Sequence, residues 1–345
     1  MGILRLSLAL AVLFFHDSGG LPTFIRPMNG STAVFCFFVI SGFYMQLVLA
    51  TKYTRARLGK NWLLSFYASR YFRLFPAYFM TVLLTVVLAK TTHWVKLPDL
   101  FDPARGLSRL RQTIAVIGNL TMIGTNLPSV QDLITRPTWS IGVEISFYLL
   151  APFLINAKRP VLVACATIGV ILQFVTWGQH APLLFGVHFF LYGMLLYKHR
   201  AWVCQKLAWL VDRRHAWLLS VGIVAMVFYR MPSDISIGRP DEHAHNLLDR
   251  LIYPIIVGIL LPVLHETSAG NRRDYWIGQL SYPFYLLHQL ALDVSDSLGL
   301  GGARKLLIVL IVCLLASALV VWLESVLVEP IRARLANRSR TAPTA

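Results

Sequence analysis

Arg5-Leu6-Ser7-Leu8-Ala9-Leu10-Ala11-Val12-Leu13-Phe14-Phe15-His16 is an apolar run with an ionisable group at each end. Ionisable side chains at membrane depth are costly and by default mark functional sites. At roughly 1.5 Å of rise per residue, the two groups stand about 16 Å apart along a helix axis. The arginine then lies near one face of a bilayer while the histidine reaches its other half. Such spacing suits chemistry that begins on one side of a membrane and finishes on the other.

Outward from this stretch the apolar theme continues. Of 345 residues, 56% are hydrophobic and only 14% charged, with a mean hydropathy of +0.61. That is more apolar surface than one soluble core buries, so the chain reads as an integral membrane protein. A formal net charge of +16 could point to nucleic acid. The basic residues, however, punctuate apolar runs of about twenty residues, the length of a membrane-spanning helix. The charge is therefore read as a topology signal, with no nucleic-acid partner. Cys36, Cys165 and Cys313 lie in apolar runs and Cys204 in a basic loop. Neither disulfides nor a metal site is expected, since no Cys or His cluster has ligand spacing. The amino-terminal apolar stretch lacks a small-residue cleavage site and reads as a retained first helix.

The pattern predicts an all-α, polytopic protein of about ten transmembrane helices, near 3–19, 32–50, 72–90, 138–157, 159–178, 183–198, 216–231, 249–266, 277–298 and 304–327. With the amino terminus inside, roughly twenty Lys and Arg residues fall on the inner side against about ten outside. Both termini are therefore expected to be cytoplasmic. Segment 91–137 carries Lys96, Arg105, Arg109, Arg111 and Arg136 around a moderately apolar stretch from Thr113 to Leu127. A span there would invert everything downstream, so an external, interfacial or re-entrant helix is expected instead. Residues 1–336 read as a single membrane-embedded domain and 337–345 as a disordered basic tail.

Four further stretches could carry chemistry. Phe38-Val39-Ile40-Ser41-Gly42 offers a Ser-Gly pair that equally suits close helix packing. Arg70-Tyr71-Phe72-Arg73, ahead of Pro76, sets two guanidiniums on one helix face, suited to phosphates or simply to inside anchoring. Trp139-Ser140-Ile141-Gly142-Val143-Glu144 places a carboxylate about one and a half turns into a helix entering from outside, at a depth similar to His16. A buried carboxylate needs a partner, for which His16 or an arginine is the natural candidate, and a structural ion pair is the plainer account. Tyr282-Pro283-Phe284-Tyr285-Leu286-Leu287-His288 supplies a second intramembrane histidine, for which hydrogen-bonded packing competes with function. His180, His188, His243 and His245 fall at helix ends or in external loops and carry little weight. Asp17 either orients His16 or marks the helix end.

Together and in this order, these pieces resemble the acyltransferase-3 family of bacterial membrane acyltransferases, which includes O-antigen and exopolysaccharide O-acetylases. The resemblance extends from Arg5 to Val328-Glu329-Pro330 and rests on five motifs in sequence: Arg5 to His16, Phe38-x-x-Ser41-Gly42, Arg70-x-x-Arg73, Trp139-Ser140-x-x-x-Glu144 with Phe147-Tyr148-Leu149, and Tyr282-Pro283-x-Tyr285-Leu286-x-His288. Two places depart from the family pattern. Met1-Gly2-Ile3-Leu4 stands where members commonly have a longer lead with an Asp, and Ala33-Val34-Phe35 where many have Gly-Val-Asp.

The resemblance implies transfer of an acyl group, usually acetyl, from cytosolic acetyl-CoA to a hydroxyl of a glycan or lipid-linked saccharide outside a bacterial inner membrane. It makes His16 the catalytic histidine, Arg5 its motif partner, Arg70 and Arg73 the pair that meets the donor's phosphates, and Glu144 the motif carboxylate. In such a reaction neutral His16 serves as general base, with Glu144 or Asp17 orienting it. Ser41, Trp139, Ser140 and His288 are candidate oxyanion donors, and a covalent acyl-histidine route is equally compatible. Buried His, Glu and Arg would also suit a proton-coupled transporter or flippase, although no internal repeat is found. A purely structural scaffold is the third reading.

Overall fold

A computed structural model describes residues 1–22, 25, 27–98, 109–127, 132–176, 182–212, 216–229 and 242–330. Among these the chain is all helical, without β-strands. In order the helices are α1 (Gly2–His16), α2 (Gly30–Thr51), α3 (Arg55–Leu58), α4 (Trp62–Thr91), α5 (Arg109–Thr121), α6 (Thr138–Leu154), α7 (Arg159–Thr176), α8 (Pro182–Lys198), α9 (Arg200–Lys206), α10 (Ala208–Val211), α11 (Ala216–Phe228), α12 (Glu242–Ser268), α13 (Arg272–Ser297) and α14 (Gly302–Leu323). The last runs on through a π-helical turn, Glu324–Val328.

Among the described residues, four helical stretches are long and apolar enough to cross a membrane: Gly30–Thr51, Arg55–Thr91, Arg250–Ser268 and Gly302–Val328. Shorter apolar helices, Gly2–His16, Thr138–Leu154, Arg159–Leu172 and Leu218–Phe228, accompany them. Leu64, Phe153, Leu315 and Trp322 are among many large apolar side chains left exposed. That is the surface expected of helices solvated by lipid.

Two packing units organise the bundle. α2 is the central helix, touching α1, α6, α8 and α12. A Cβ built on Gly42 would lie 1.9 Å from the Phe190 carbonyl oxygen, and one on Gly193 would lie 2.1 Å from that of Val39. Backbones of α2 and α8 thus meet directly, in the small-residue manner of membrane helices.

The second unit is the pair α1 and α13, which run parallel. Asp274, in the first turn of α13, accepts hydrogen bonds from the backbone N–H groups of Gly2 (2.8 Å) and Ile3 (3.0 Å). These are among the first-turn donors of α1 that have no intrahelical partner. At the other end, the rings of His16 and His288 stack with centroids 5.5 Å apart. α13 also packs against α4 and α14.

One boundary that positions the site differs from the sequence expectation. α4 begins at Trp62, not near residue 72, so Arg70 and Arg73 lie more than two turns inside a helix. The basic and polar residues of that stretch do not end the helix, because they face a cavity. In segment 91–137, where an external, interfacial or re-entrant helix is expected, α5 is 13 residues long. After α5 the chain turns at Met122 (φ 63°) and Gly124 (φ 78°). It then lies along α6, with Thr125 Oγ1 donating to the Thr138 carbonyl at 3.0 Å and Asn126 Nδ2 to Ser146 Oγ at 3.5 Å. Gly142 admits this approach, since a Cβ there would come within 2.4 Å of Thr125 Oγ1. Fully buried Asn119 donates to the Asp132 carbonyl (2.8 Å) and accepts from the Ile134 N–H (2.7 Å), holding the return. Arg105 and the expected tail at 337–345 lie outside the described residues.

Gly42→Leu should force α2 from α8, costing about 1–3 kcal/mol as overpacking does. The check is a lower unfolding temperature in detergent, with Ala substitution at exposed Gly222 as the neutral control.

Candidate active site

At the end of the bundle where α1 starts, a cavity of about 1460 Å³ opens between α1, α2, α4, α13 and the turns after α2. Its lining includes Arg5, Lys52, Arg57, Arg70, Arg73 and Arg272, against the carboxylates Asp274, Glu324 and Glu329. The excess of cationic groups favours an anionic occupant. Tyr53, between α2 and α3, organises one wall. Its hydroxyl donates to Ser69 Oγ at 2.5 Å, and Lys52 and Arg70 lie over its ring, at 5.4 and 5.9 Å from the centroid. Burial would raise the Tyr53 phenol's pKa, but the Ser69 hydrogen bond and the Arg70 and Lys52 charges outweigh burial and hold it below its ordinary value. Arg70 is buried, and its Nε has no hydrogen-bond partner.

A narrower cavity of about 70 Å³ continues inward. Arg5, Tyr44 and Arg73 line both spaces and form the neck between them. The Arg5 guanidinium lies alongside Gly278 of α13. Beyond the neck the walls are Phe37, Ser41, Ser140, Glu144, Tyr148, Tyr282 and Tyr285, with other apolar side chains. Glu144 Oε1 accepts from Ser41 Oγ (3.1 Å) and Tyr148 Oη (2.5 Å). Ser140 Oγ and Tyr285 Oη are 2.8 Å apart, and Tyr282 Oη donates to the Leu74 carbonyl at 3.0 Å.

The two histidines line neither cavity; His288 follows Tyr285 along α13, and His16 stacks on it. The Tyr285 ring lies 5.7 Å from that of His288. His288 is buried, and its Nδ1 is 2.6 Å from the Tyr285 carbonyl oxygen. A carbonyl can only accept, so Nδ1 carries the proton. Nε2 is then a lone-pair acceptor, and it has no hydrogen-bond partner. His16, by contrast, is exposed.

The residues singled out by sequence thus fall into distinct places. Arg5, Arg73, Ser41, Ser140 and Glu144 share the narrow cavity. Arg70 is on the wide cavity's wall. His16 and His288 form a pair beyond it. Glu144 is held by hydroxyls and shares its cavity with two arginines, and it makes no contact with His16. Asp17 pairs instead with Lys305 of α14 at 3.1 Å, which is itself 2.6 Å from Asp296. Trp139 is half-buried against the core and lines neither cavity. His188, placed by sequence at a helix end, is buried nearly two turns into α8 where Gly169 of α7 admits its ring.

Sequence reading gave no role to Tyr44, Tyr53, Lys52, Tyr282 or Tyr285. For the last two a signal existed: Ser281, Tyr282, Tyr285 and His288 recur at the three- and four-residue spacing of a single helix face. Lys305 and Asp274 had no such signal, because their partners are far away in the chain. Among the described residues no group of three His, Cys, Asp or Glu side chains could hold a metal.

The chain is similar to O-acetyltransferase OatA of Staphylococcus aureus, at 26% identity over 315 residues covering 84% of this chain and 50% of that protein. It is also similar to peptidoglycan O-acetyltransferase OatA of Listeria monocytogenes, at 24% over 314 residues, covering 83% and 48%. Nodulation protein 10 of Rhizobium leguminosarum bv. viciae is 25% identical over 353 aligned positions, covering 93% of this chain and 90% of that protein. The chain spans about half the length of the two OatA relatives. No solved structure matches it. These relatives do not favour a transporter. The acyltransferase domain model matches residues 3–325, from the start of α1 into the π-helical turn that extends α14, and the chain belongs to the acyltransferase-3 family.

Proposed function

We propose that this protein is an O-acetyltransferase of a bacterial cytoplasmic membrane. It takes acetyl from acetyl-CoA on the inner side and delivers it to a hydroxyl of a cell-surface or exported glycan, or its lipid-linked precursor, on the outer side. The observation that carries this reading is the basic vestibule that joins a narrow inner cavity through the Arg5–Arg73 neck, with Tyr285 on the inner wall 5.7 Å from the ring of His288, on which His16 stacks. The excess of Lys and Arg on the vestibule side supports a cytoplasmic placing for it and for both termini. The peptidoglycan named for one relative supports a glycan acceptor.

In this scheme the vestibule takes the nucleotide end of the donor. Arg70, with a buried Nε free to donate, and Lys52 and Arg57 beside it meet phosphate oxygens. The neck passes only the slender pantetheine arm. Arg73 and Arg5 flank it, and Glu144 balances their charge while Ser41 and Tyr148 satisfy its oxygen. The narrow cavity keeps water from the thioester, which suppresses wasteful hydrolysis. At the far end, exposed His16 removes the acceptor hydroxyl's proton as general base. Lys305, gripping Asp17 next to it, fixes the end of α1 and hence the imidazole's position.

Arg70→Ala should raise the KM for acetyl-CoA about tenfold, equivalent to losing roughly 1.4 kcal/mol of charge-assisted binding, with the KM for acceptor little changed. Initial rates against each substrate in reconstituted membranes check this, and equal changes in both would count against a phosphate contact. His16→Ala should lower transfer by about 100-fold or more, as removal of a general base does, with insertion and abundance intact. The readout is O-acetyl content of envelope and secreted glycans in a complemented deletion strain, by NMR before and after mild base. Unchanged acetylation with deletion and complementation alike would rule out the glycan acceptor.

A further inference from the structure

We infer that His288 is the nucleophile that takes the acyl group from the thioester, so that transfer passes through an acyl-His288 intermediate before reaching the acceptor. This deepens the acyltransferase reading and rests on it. Three observations converge. First, the Nδ1–H of His288 is committed to the Tyr285 carbonyl at 2.6 Å, which leaves the Nε2 lone pair as the reactive site. Second, that nitrogen is buried with no hydrogen-bond partner. No hydrogen bond competes for that lone pair, so it is left available to a reacting carbon. A neutral imidazole in this tautomer presents the Nε2 lone pair and not a proton.

Third, His288 is next in line on the helix face that walls the route. Gly278 lines the vestibule and its neck, Ser281, Tyr282 and Tyr285 line the narrow cavity, and His288 follows one turn later. The Tyr285 ring, tethered to Ser140, closes the cavity against His288 and swings aside for the acyl group to pass. His16 stacks on the far side, at 5.5 Å between centroids, exposed toward the acceptor. The two imidazoles thus divide the reaction, one buried on the donor side and one open to the other.

The steps balance. The Nε2 lone pair attacks the thioester carbonyl carbon, and the carbon–sulfur bond breaks with its electron pair leaving on coenzyme A thiolate, which is protonated from the inner solution. The acylimidazolium keeps its Nδ1–H on the Tyr285 carbonyl. His16 then takes the proton of the acceptor hydroxyl, whose oxygen attacks the acyl carbon. The carbon–nitrogen bond breaks, its pair returns to Nε2, and His16 releases its proton outside.

The test separates the half-reactions. Full-length protein in lipid nanodiscs is mixed with acetyl-CoA without acceptor, and free thiol is measured by rapid quench. Wild type and His16→Ala should each release coenzyme A in a stoichiometric burst. His288→Asn, whose amide nitrogen can replace Nδ1 at the Tyr285 carbonyl but which lacks Nε2, should lose the burst. Its resistance to thermal unfolding should still rise with acetyl-CoA. If that variant does not fold, wild type quenched after radiolabelled acetyl-CoA decides, since hydroxylamine-sensitive label must map to the His288 peptide. A burst in folded His288→Asn, label on His16, or no burst in wild type that still acetylates an added glycan acceptor would each overturn the intermediate. Absence of coenzyme A release even with acceptor present would overturn the acyltransferase reading itself.

Discussion

The register between α1 and α13 is the constraint on which the site depends. Two parallel helices are tied at one end by Asp274, which accepts two backbone N–H groups of α1, and meet at the other as His16 on His288. Helical rise then sets every depth between these points. Arg5 falls beside Gly278 at the neck, and Tyr285 falls between neck and histidines. A slip of one residue would rotate each side chain by about 100° and dissolve the alignment. The cap is therefore also a positioning device.

Around this pair, small residues decide which faces meet. Gly42 brings α2 onto the backbone of α8, and the neighbouring Ser41 is thereby turned toward Glu144. One Ser-Gly pair thus provides close packing by the glycine and a hydrogen bond to Glu144 by the serine. In lipid no water would satisfy the Glu144 carboxylate, so its hydroxyl donors and the arginines lining the same cavity make its place tolerable.

The cavity's shape carries the functional logic. A wide basic vestibule leads to a narrow neck, and beyond it lie aromatic and hydroxyl walls, one of which, Tyr285, neighbours the buried ring of His288. On the proposed reading, the vestibule's cationic excess is where a phosphate-bearing donor would dock, and the narrower space beyond would shield a thioester from water. Beyond that wall His288 is buried, and His16, stacked on it, is exposed.

The sequence by itself determined the helical, membrane-embedded class, because apolar runs of spanning length need no knowledge of neighbours. It also marked Arg5, His16, Arg70, Arg73, Glu144 and His288, since ionisable groups in apolar surroundings declare themselves and their order carried the family resemblance. Only the tertiary structure decided who meets whom. Glu144 went to Ser41 and Tyr148, Asp17 to Lys305, and His16 to His288. The start of α4 at Trp62 was hidden for the same reason, as polarity signals a helix end unless a cavity receives it. Periodicity fixes depth along each helix but not its rotation or lateral neighbours. Those follow from close contacts such as Gly42 on Phe190 and Gly2 on Gly278, between residues far apart in the chain.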